Sequence, residues 1–338
     1  MKKQLFQRIC CLALFLFSVL CLDIVQASTL INGLYYDLNT SSRTATVTCE
    51  TTGTDNYASL PASVKIPETV TYNGITFTVT KVADKAFANC TSLEEISIPG
   101  TVTEVGTTCE TEGYLPFYKC TSLKKVKLED GKQSISLGVY FTSSQYNGSY
   151  YSDGLFAYCP LQEVYIGRNI FYVNRSSSWS FDQYPEYYGY SAFYNQSSLA
   201  KVTISSTVTK IPAYLCYKLS ELKTVMVGES LVSVGSHTFD GCNIQAISLP
   251  SSVETIGDYA FQNNTNMKSA NLGTSVKTIG DNAFSGCVNL TDVHLGNALS
   301  SIGNYSFQNV GTEATSSVKF GLRGKCPWME TYPPSQIS

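Results

Sequence analysis

A leucine-rich-repeat solenoid is the fold class this sequence predicts, and three observations carry the prediction. The spacing A-F-x-x-C-x-x-L-x-x-V-x-L-x-x-x-V-x-x-I-G returns along the chain and is nearly whole from Thr238 to Gly257. Its last copies recur every 22 or 23 residues, at Phe239, Phe261, Phe284 and Phe307. Within each copy the V-x-L portion alternates, so one face of the segment is buried and the other exposed. A unit of about 20–29 residues with this segment inside it buries its aliphatic face only by stacking on neighbours. The expected architecture is parallel stacked short β-strands with short helical or irregular return segments, about 8–9 coils, and capped ends.

The elements follow in chain order. MKKQLFQR is a positive n-region, ICCLALFLFSVLCL an apolar run of fourteen residues, and Val25-Gln26-Ala27 a small-residue cleavage site. Residues 1–27 therefore read as a secretory signal peptide. The run is short for a bilayer span, and Leu20 is the wrong size for a lipoprotein cut before Cys21. Residues 28–80 read as an N-terminal β cap. In it INGLYYDLN and TATVTC give two strands, and VKIPETVTYNGITFTVTKVA gives a hairpin around Asn73-Gly74. Such a cap shields the open edge of the first coil. Residues 81–320 carry the repeats, with insertions near 107–115, 131–153 and 167–190. Residues 321–338 depart from the spacing and read as a C-terminal cap or tail.

Copies begin at Ala86, Pro116, Leu155, Ala192, Thr238, Ala260 and Ala283, with a looser one from Tyr214. In the copy from Ala283 the alternation turns Leu290, Val293 and Leu295 inward and Asp292 and His294 outward. Gly257, Gly280 and Gly303 close their coils, where either a positive φ or a close backbone approach is expected.

Cys90, Cys120, Cys159, Cys242 and Cys287 each stand three residues after a phenylalanine; Asn264 and Gln196 take that place in two other coils. A position filled by Cys, Asn or Gln reads as an interior turn ladder, where a small side chain bonds to exposed backbone and a buried thiol acts as a small hydrophobe. This reading takes apart the one cluster that looks catalytic. Cys287 belongs to the ladder, and the columns of Asp292 and His294 repeat no chemistry. Cys49, Cys109, Cys216 and Cys326 stand outside the ladder. Some could pair in an oxidising compartment, and Cys109 is the candidate exposed thiol.

Composition narrows function. A net charge of −3 is too small and too acidic for a nucleic-acid partner. No phosphate loop, G-x-S-x-G, H-E-x-x-H or G-x-G-x-x-G is present, and the two histidines fall in different coils. No enzyme activity, cofactor or metal is expected. Two surfaces are candidates for binding. Fourteen of the 23 tyrosines lie between Tyr140 and Tyr217. The insertion after Gly167 gathers Phe171, Tyr172, Trp179, Phe181, Tyr184, Tyr187, Tyr188 and Tyr190. Loops of Tyr, Ser, Gly and Asn make paratope-like contact surfaces, and exposed rings suit sugars; the other reading is a loop that buries its own rings on the solenoid. The second candidate is the exposed strand face with Lys124, Lys125, Lys127 and Tyr165. There Glu94 and Glu95 share columns with Lys124 and Lys125 and are expected to pair across strands.

The motif, together with the VKIP-type strand ahead of the first copy, resembles the BspA-like leucine-rich repeat family of bacterial surface proteins over about Val64 to Phe320. The resemblance implies export to the cell surface of host-associated bacteria, and adhesion or protein binding there. The implied partner is a host or bacterial surface protein, or a glycan, with membrane contact only through export or a lipid anchor. A glycan-binding component of a nutrient-capture system and a structural envelope protein without a dedicated ligand are the alternatives.

Overall fold

The computed structural model describes residues 28–50, 57, 60–107, 115–143, 150–174, 192–193, 196–312 and 319–322. Residues 1–27, Cys109, Trp179, Phe181, Tyr184, Tyr187, Tyr188, Tyr190, Cys326 and the tail from 323 onward lie outside them.

β1 (Thr29–Ile31), β2 (Leu34–Asn39) and β3 (Thr44–Thr48) form an antiparallel meander. β4 (Ser63–Lys65) follows, then the hairpin of β5 (Thr69–Tyr72) and β6 (Ile75–Val82). Its turn residues Asn73 and Gly74 have φ of 48° and 76°, the double left-handed turn that matches the twist of a two-residue hairpin. β3 then pairs with β6 in parallel, so the meander is continuous with the solenoid.

Each coil contributes rungs to two parallel ladders. The first ladder stacks β4, β7 (Glu95–Ile98), β9 (Lys125–Leu128), β12 (Glu163–Ile166), β14 (Lys201–Ile204) and β16 (Thr224–Val227). It resumes, after a break, with β18 (Ala246–Ser248), β20 (Ser269–Asn271), β22 (Asp292–Leu295) and β24 (Lys319–Leu322). The second ladder stacks β6, β8 (Glu104–Val105), β10 (Ile135–Ser143) and β13 (Ile170–Asn174), with β11 (Tyr150–Asp153) folded back on β10. After its own break come β15 (Lys210–Ile211), β17 (Ser233–Val234), β19 (Thr255–Ile256), β21 (Thr278–Ile279) and β23 (Ser301–Ile302). At that break the Asn169 amide replaces a strand: its Oδ1 accepts from the nitrogens of Thr209 (2.9 Å) and Lys210 (3.1 Å). Both β10 and β13 lie within segments the sequence marks as insertions; they are rungs.

The return segments take the irregular of the two forms expected. Among the described residues there is no helix; the A-F segment is a hydrogen-bonded turn. In most coils it is held by two left-handed residues, one two positions before the phenylalanine and one two positions after; the coils of Phe117 and Phe156 have only the second. The first column is Lys85, Tyr214, His237, Tyr259, Asn282 and Tyr305. The second is Asn89, Lys119, Tyr158, Lys218, Gly241, Asn263, Gly286 and Asn309. This conformation costs an ordinary L-residue about 1–2 kcal/mol, which explains why Gly and Asn recur in the second column. Gly257, Gly280 and Gly303 serve the other purpose, close approach. A methyl on Gly257 would lie 2.6 Å from the Ser236 nitrogen, and methyls on Gly280 and Gly303 would collide with the nitrogens of Asp258 and Asp281.

Between the ladders and the turns the phenylalanines stack into a spine. Ring centroids are 5.5 Å apart for Phe87–Phe117, 4.9 Å for Phe117–Phe156 and 5.5 Å for Phe156–Phe193. A second run joins Phe239, Phe261, Phe284 and Phe307 at 5.1–5.4 Å. Full burial of such a ring contributes about 1.5–3 kcal/mol. Cys216, which stands at the same place between two left-handed residues, interrupts the spine.

Candidate functional site

The outward face of the first ladder forms a shallow groove of about 500 Å³ crossing β4, β7, β9, β12 and β14. Its walls follow from register. Glu95, Lys125, Glu163 and Lys201 stand opposite one another on successive strands, so their charges alternate along the axis. The Lys125 ammonium is 2.9 Å from Glu95, and that of Lys201 is 3.7 Å from Glu163. Lys124 pairs with Glu94 at 3.4 Å beside the groove. Exposed pairs of this kind are screened by solvent and contribute little to stability; they define a charge pattern more than they hold the fold.

The next outward column runs Lys65, Ser97, Lys127, Tyr165, Thr203 and Met226. The Lys127 ammonium stands 5.5 Å from the centroid of the Tyr165 ring, a cation–π distance. The Tyr165 hydroxyl donates to Asp130 at 3.0 Å. Hydroxyls of Ser205, Tyr165 and Thr207 and the nearby Lys127 hold the Asp130 carboxyl below the usual range. The Tyr165 phenol is pushed up, chiefly by desolvation. Glu129 joins this set, accepting from Ser97 at 2.7 Å and pairing with Lys65 at 3.4 Å.

Lys124, Lys125, Lys127 and Tyr165 are thus brought together on one surface. The aromatic candidates are divided. Phe171 is 61% exposed on β13 in the second ladder, and Tyr172 packs partly against the core. The other six aromatic candidates lie outside the described residues. The turn ladder faces inward: Cys120, Cys159 and Cys287 donate to the carbonyls of Phe87, Phe117 and Phe261 at 3.0–3.2 Å. The Asn264 amide and Gln196 amide bond in the same way to Phe239 (2.8 Å) and Phe156 (2.9 Å), and Cys242 bonds to Cys216 (2.9 Å). Cys90 starts the column and is buried. Burial pushes the thiols of Cys90, Cys242 and Cys287 up to about 12, which keeps them protonated donors. Cys287 is therefore turned away from the exposed Asp292 and His294, which lie 3.5 Å from each other. Cys49 is a half-buried free thiol and Cys216 a buried one.

Sequence reasoning missed Arg168. It is 1% exposed, and its guanidinium donates to the carbonyls of Gly100 (2.6 Å) and Pro99 (2.8 Å). A methyl on Gly131, in the coil between, would lie 3.0 Å from its Nη1. Burial lowers its pKa to about 10, opposed by Glu129, so it stays charged at neutral pH and braces the floor beside the groove. The sequence carried no clear signal for it: Gly167 stands where regular coils have Pro250, Gly273 and Gly296, and Arg168 merely takes the place of Ser251 and Thr274.

The chain matches the family profile described as "BspA type Leucine rich repeat region", in six copies, over residues 63–183 and 186–313. Similar solved structures include a leucine rich cell surface protein from Faecalibacterium prausnitzii (20% identity, 88% of this chain and 76% of that chain, TM-score 0.45). A leucine rich repeat protein from T. pallidum (21% identity, 88% and 100%, TM-score 0.35) and one from Bacteroides ovatus (17% identity, 88% and 100%, TM-score 0.30) also align. No curated protein matches the chain.

Proposed function

Because the chain belongs to the BspA-type leucine-rich repeat family, we propose that it is an exported surface protein that binds a protein partner through the groove of the first ladder. The groove itself carries this reading: four successive strands, β7, β9, β12 and β14, present an alternating Glu/Lys column, with Lys127 and Tyr165 beside it. Charge complementarity of this kind selects partners and speeds encounter more than it adds affinity. Export rests on the reading of residues 1–27 as a signal peptide. The carboxylates Glu95, Glu129 and Glu163 are each held by a lysine, an arrangement suited to binding and not to acid–base chemistry; the protein is read as a non-enzyme.

The test is a screen of residues 28–338 against arrays of matrix and bacterial surface proteins, with two variants. One carries Lys127→Ala and Tyr165→Ala. The other lacks 175–190, leaving Arg168, Asn169 and β13 in place because they belong to the ladders. Binding lost in the first and kept in the second is the expected result. The converse would move the site to the aromatic insertion, and no binding by the intact protein would favour a structural envelope role. Hydrolysis of a peptide or glycan panel, abolished by one substitution, would overturn the non-enzymatic reading.

A further inference from the structure

The second left-handed column of the turns holds Gly or Asn in five coils, at Asn89, Gly241, Asn263, Gly286 and Asn309. These are the residues that tolerate the conformation best. In three coils of the middle region the same place holds Lys119, Tyr158 and Lys218, with φ of 57°, 63° and 57°. The first column carries Lys, Tyr and His in regular and irregular coils alike, so the conformation by itself marks nothing; what sets Lys119, Tyr158 and Lys218 apart from the Gly and Asn of their own column is that each puts a long side chain on the surface.

Lys119 and Tyr158 meet Tyr118 on one edge of the solenoid, and Lys218 occupies the same column two coils beyond Tyr158. Tyr158 is 58% exposed and meets Tyr118 edge-to-face, with centroids 5.4 Å apart. The Lys119 ammonium lies 5.0 Å from the Tyr118 ring centroid and 5.9 Å from that of Tyr158. Further along the column, Lys218 repeats the arrangement over Tyr217 at 4.9 Å. No ion pair joins Lys119 to a carboxylate among the described residues. Backbone groups here already bond between coils, Lys119 N to Ala157 O (3.1 Å) and Lys218 N to Asp240 O (2.7 Å). An extended peptide would therefore find no strand edge to join.

We propose that this turn edge is a glycan site that takes an anionic polysaccharide, separate from the groove. The tyrosine faces stack on the apolar faces of sugar rings, and Lys119 and Lys218 pair with carboxylate or sulfate groups. The column runs along the solenoid axis with about 4.8 Å per rung, so a linear polymer lying along it meets the Tyr158–Lys119 set and then Tyr217–Lys218.

The test uses the full mature chain and the triple variant Lys119→Asn, Tyr158→Asn, Lys218→Asn. Asn is a residue the column already accepts, so this variant folds with a melting temperature unchanged or raised. Titration calorimetry with oligogalacturonate and with a heparin oligosaccharide separates carboxylate from sulfate recognition. Maltoheptaose and poly-L-glutamate serve as the neutral and the acidic-polypeptide probes. The expected result is binding of one anionic oligosaccharide, weakened at least tenfold in the triple variant and unchanged by Lys127→Ala, Tyr165→Ala. Three results would overturn the proposal: no binding of either anionic sugar by the intact chain, equal binding by the triple variant, or tighter binding of poly-L-glutamate.

Discussion

The coils from Thr238 to Ile302 and those from Phe117 to Val234 are built on one spacing but are held together differently. In the C-terminal group both ladders are unbroken, the phenylalanine spine is continuous, and the second left-handed column is Gly or Asn throughout. In the middle group the second ladder breaks after β13, the spine breaks at Cys216, and the first ladder ends at β16. Side chains make up for the lost backbone order there: Asn169 stands in for a strand, and Arg168 ties coils whose corners lie 68 and 69 residues earlier. Regularity supplies stability cheaply and uniformly, whereas irregular coils need individual side-chain bonds. The lysine–tyrosine edge lies in these irregular coils, whereas the groove starts ahead of them on β4 and β7 and runs into them along the unbroken part of the first ladder.

That contrast can be broken first at the spine. Phe261→Ala removes a fully buried ring from the continuous stack and should cost about 3–5 kcal/mol, read by urea denaturation. Arg168→Met keeps much of the side-chain volume but removes two charge-assisted bonds, to Gly100 and to Pro99, whose carbonyl keeps the Val102 N–H, an expected loss of about 2–3 kcal/mol. Hydrogen exchange should then place the weakened amides in the middle coils, because repeat arrays transmit destabilisation mainly to neighbours. Uniform loss across the chain would erase the distinction between the two regions. Within the regular coils, Asn264→Ala removes the donor to Phe239 and the acceptor of the Ile244 nitrogen, an expected loss of about 2 kcal/mol. Cys287→Ala removes one weak donor, with an expected loss of about 1 kcal/mol.

The smallest effect is electrostatic. Asp130 has a folded pKa below its ordinary value of 3.8 because hydroxyls and Lys127 favour the ionised form. Its contribution is therefore complete above that ordinary value and is lost as pH falls through the lowered one. Asp130→Asn should therefore lower stability slightly at neutral pH, have little effect below the lowered pKa, and so flatten the acid limb of a stability–pH profile.

Much of this was readable from residues alone because a solenoid's constraints are local. The inward face of Leu290, Val293 and Leu295, the Cys/Asn turn ladder and the Asn73-Gly74 hairpin each follow from spacing within one unit. The second ladder was less legible. Its regular rungs are two residues long, as at Thr255-Ile256, too short for a period-two pattern to show. β10 and β13 hid inside apparent insertions because their sequence departs from V-x-x-I-G while their backbone keeps register. Arg168 could not be read as buried, since charged residues are almost never fully buried unless paired, and its partners are carbonyls distant in sequence. The groove needed register between strands: Glu95 and Lys125 were legible as neighbours, but Glu163 and Lys201 extend the column only once the ladders are aligned.

The hydrogen bonds between coils run along the solenoid axis. A pull applied between the two ends would load these rungs one after another, as in peeling tape, and not all at once as in shearing a sheet. Force spectroscopy on the chain held by its ends should show a staircase of small, coil-sized extensions at low load in place of one tall rupture. A protein of this build would act under tension as a shock absorber, lengthening by turns while the coils still closed keep their surfaces intact.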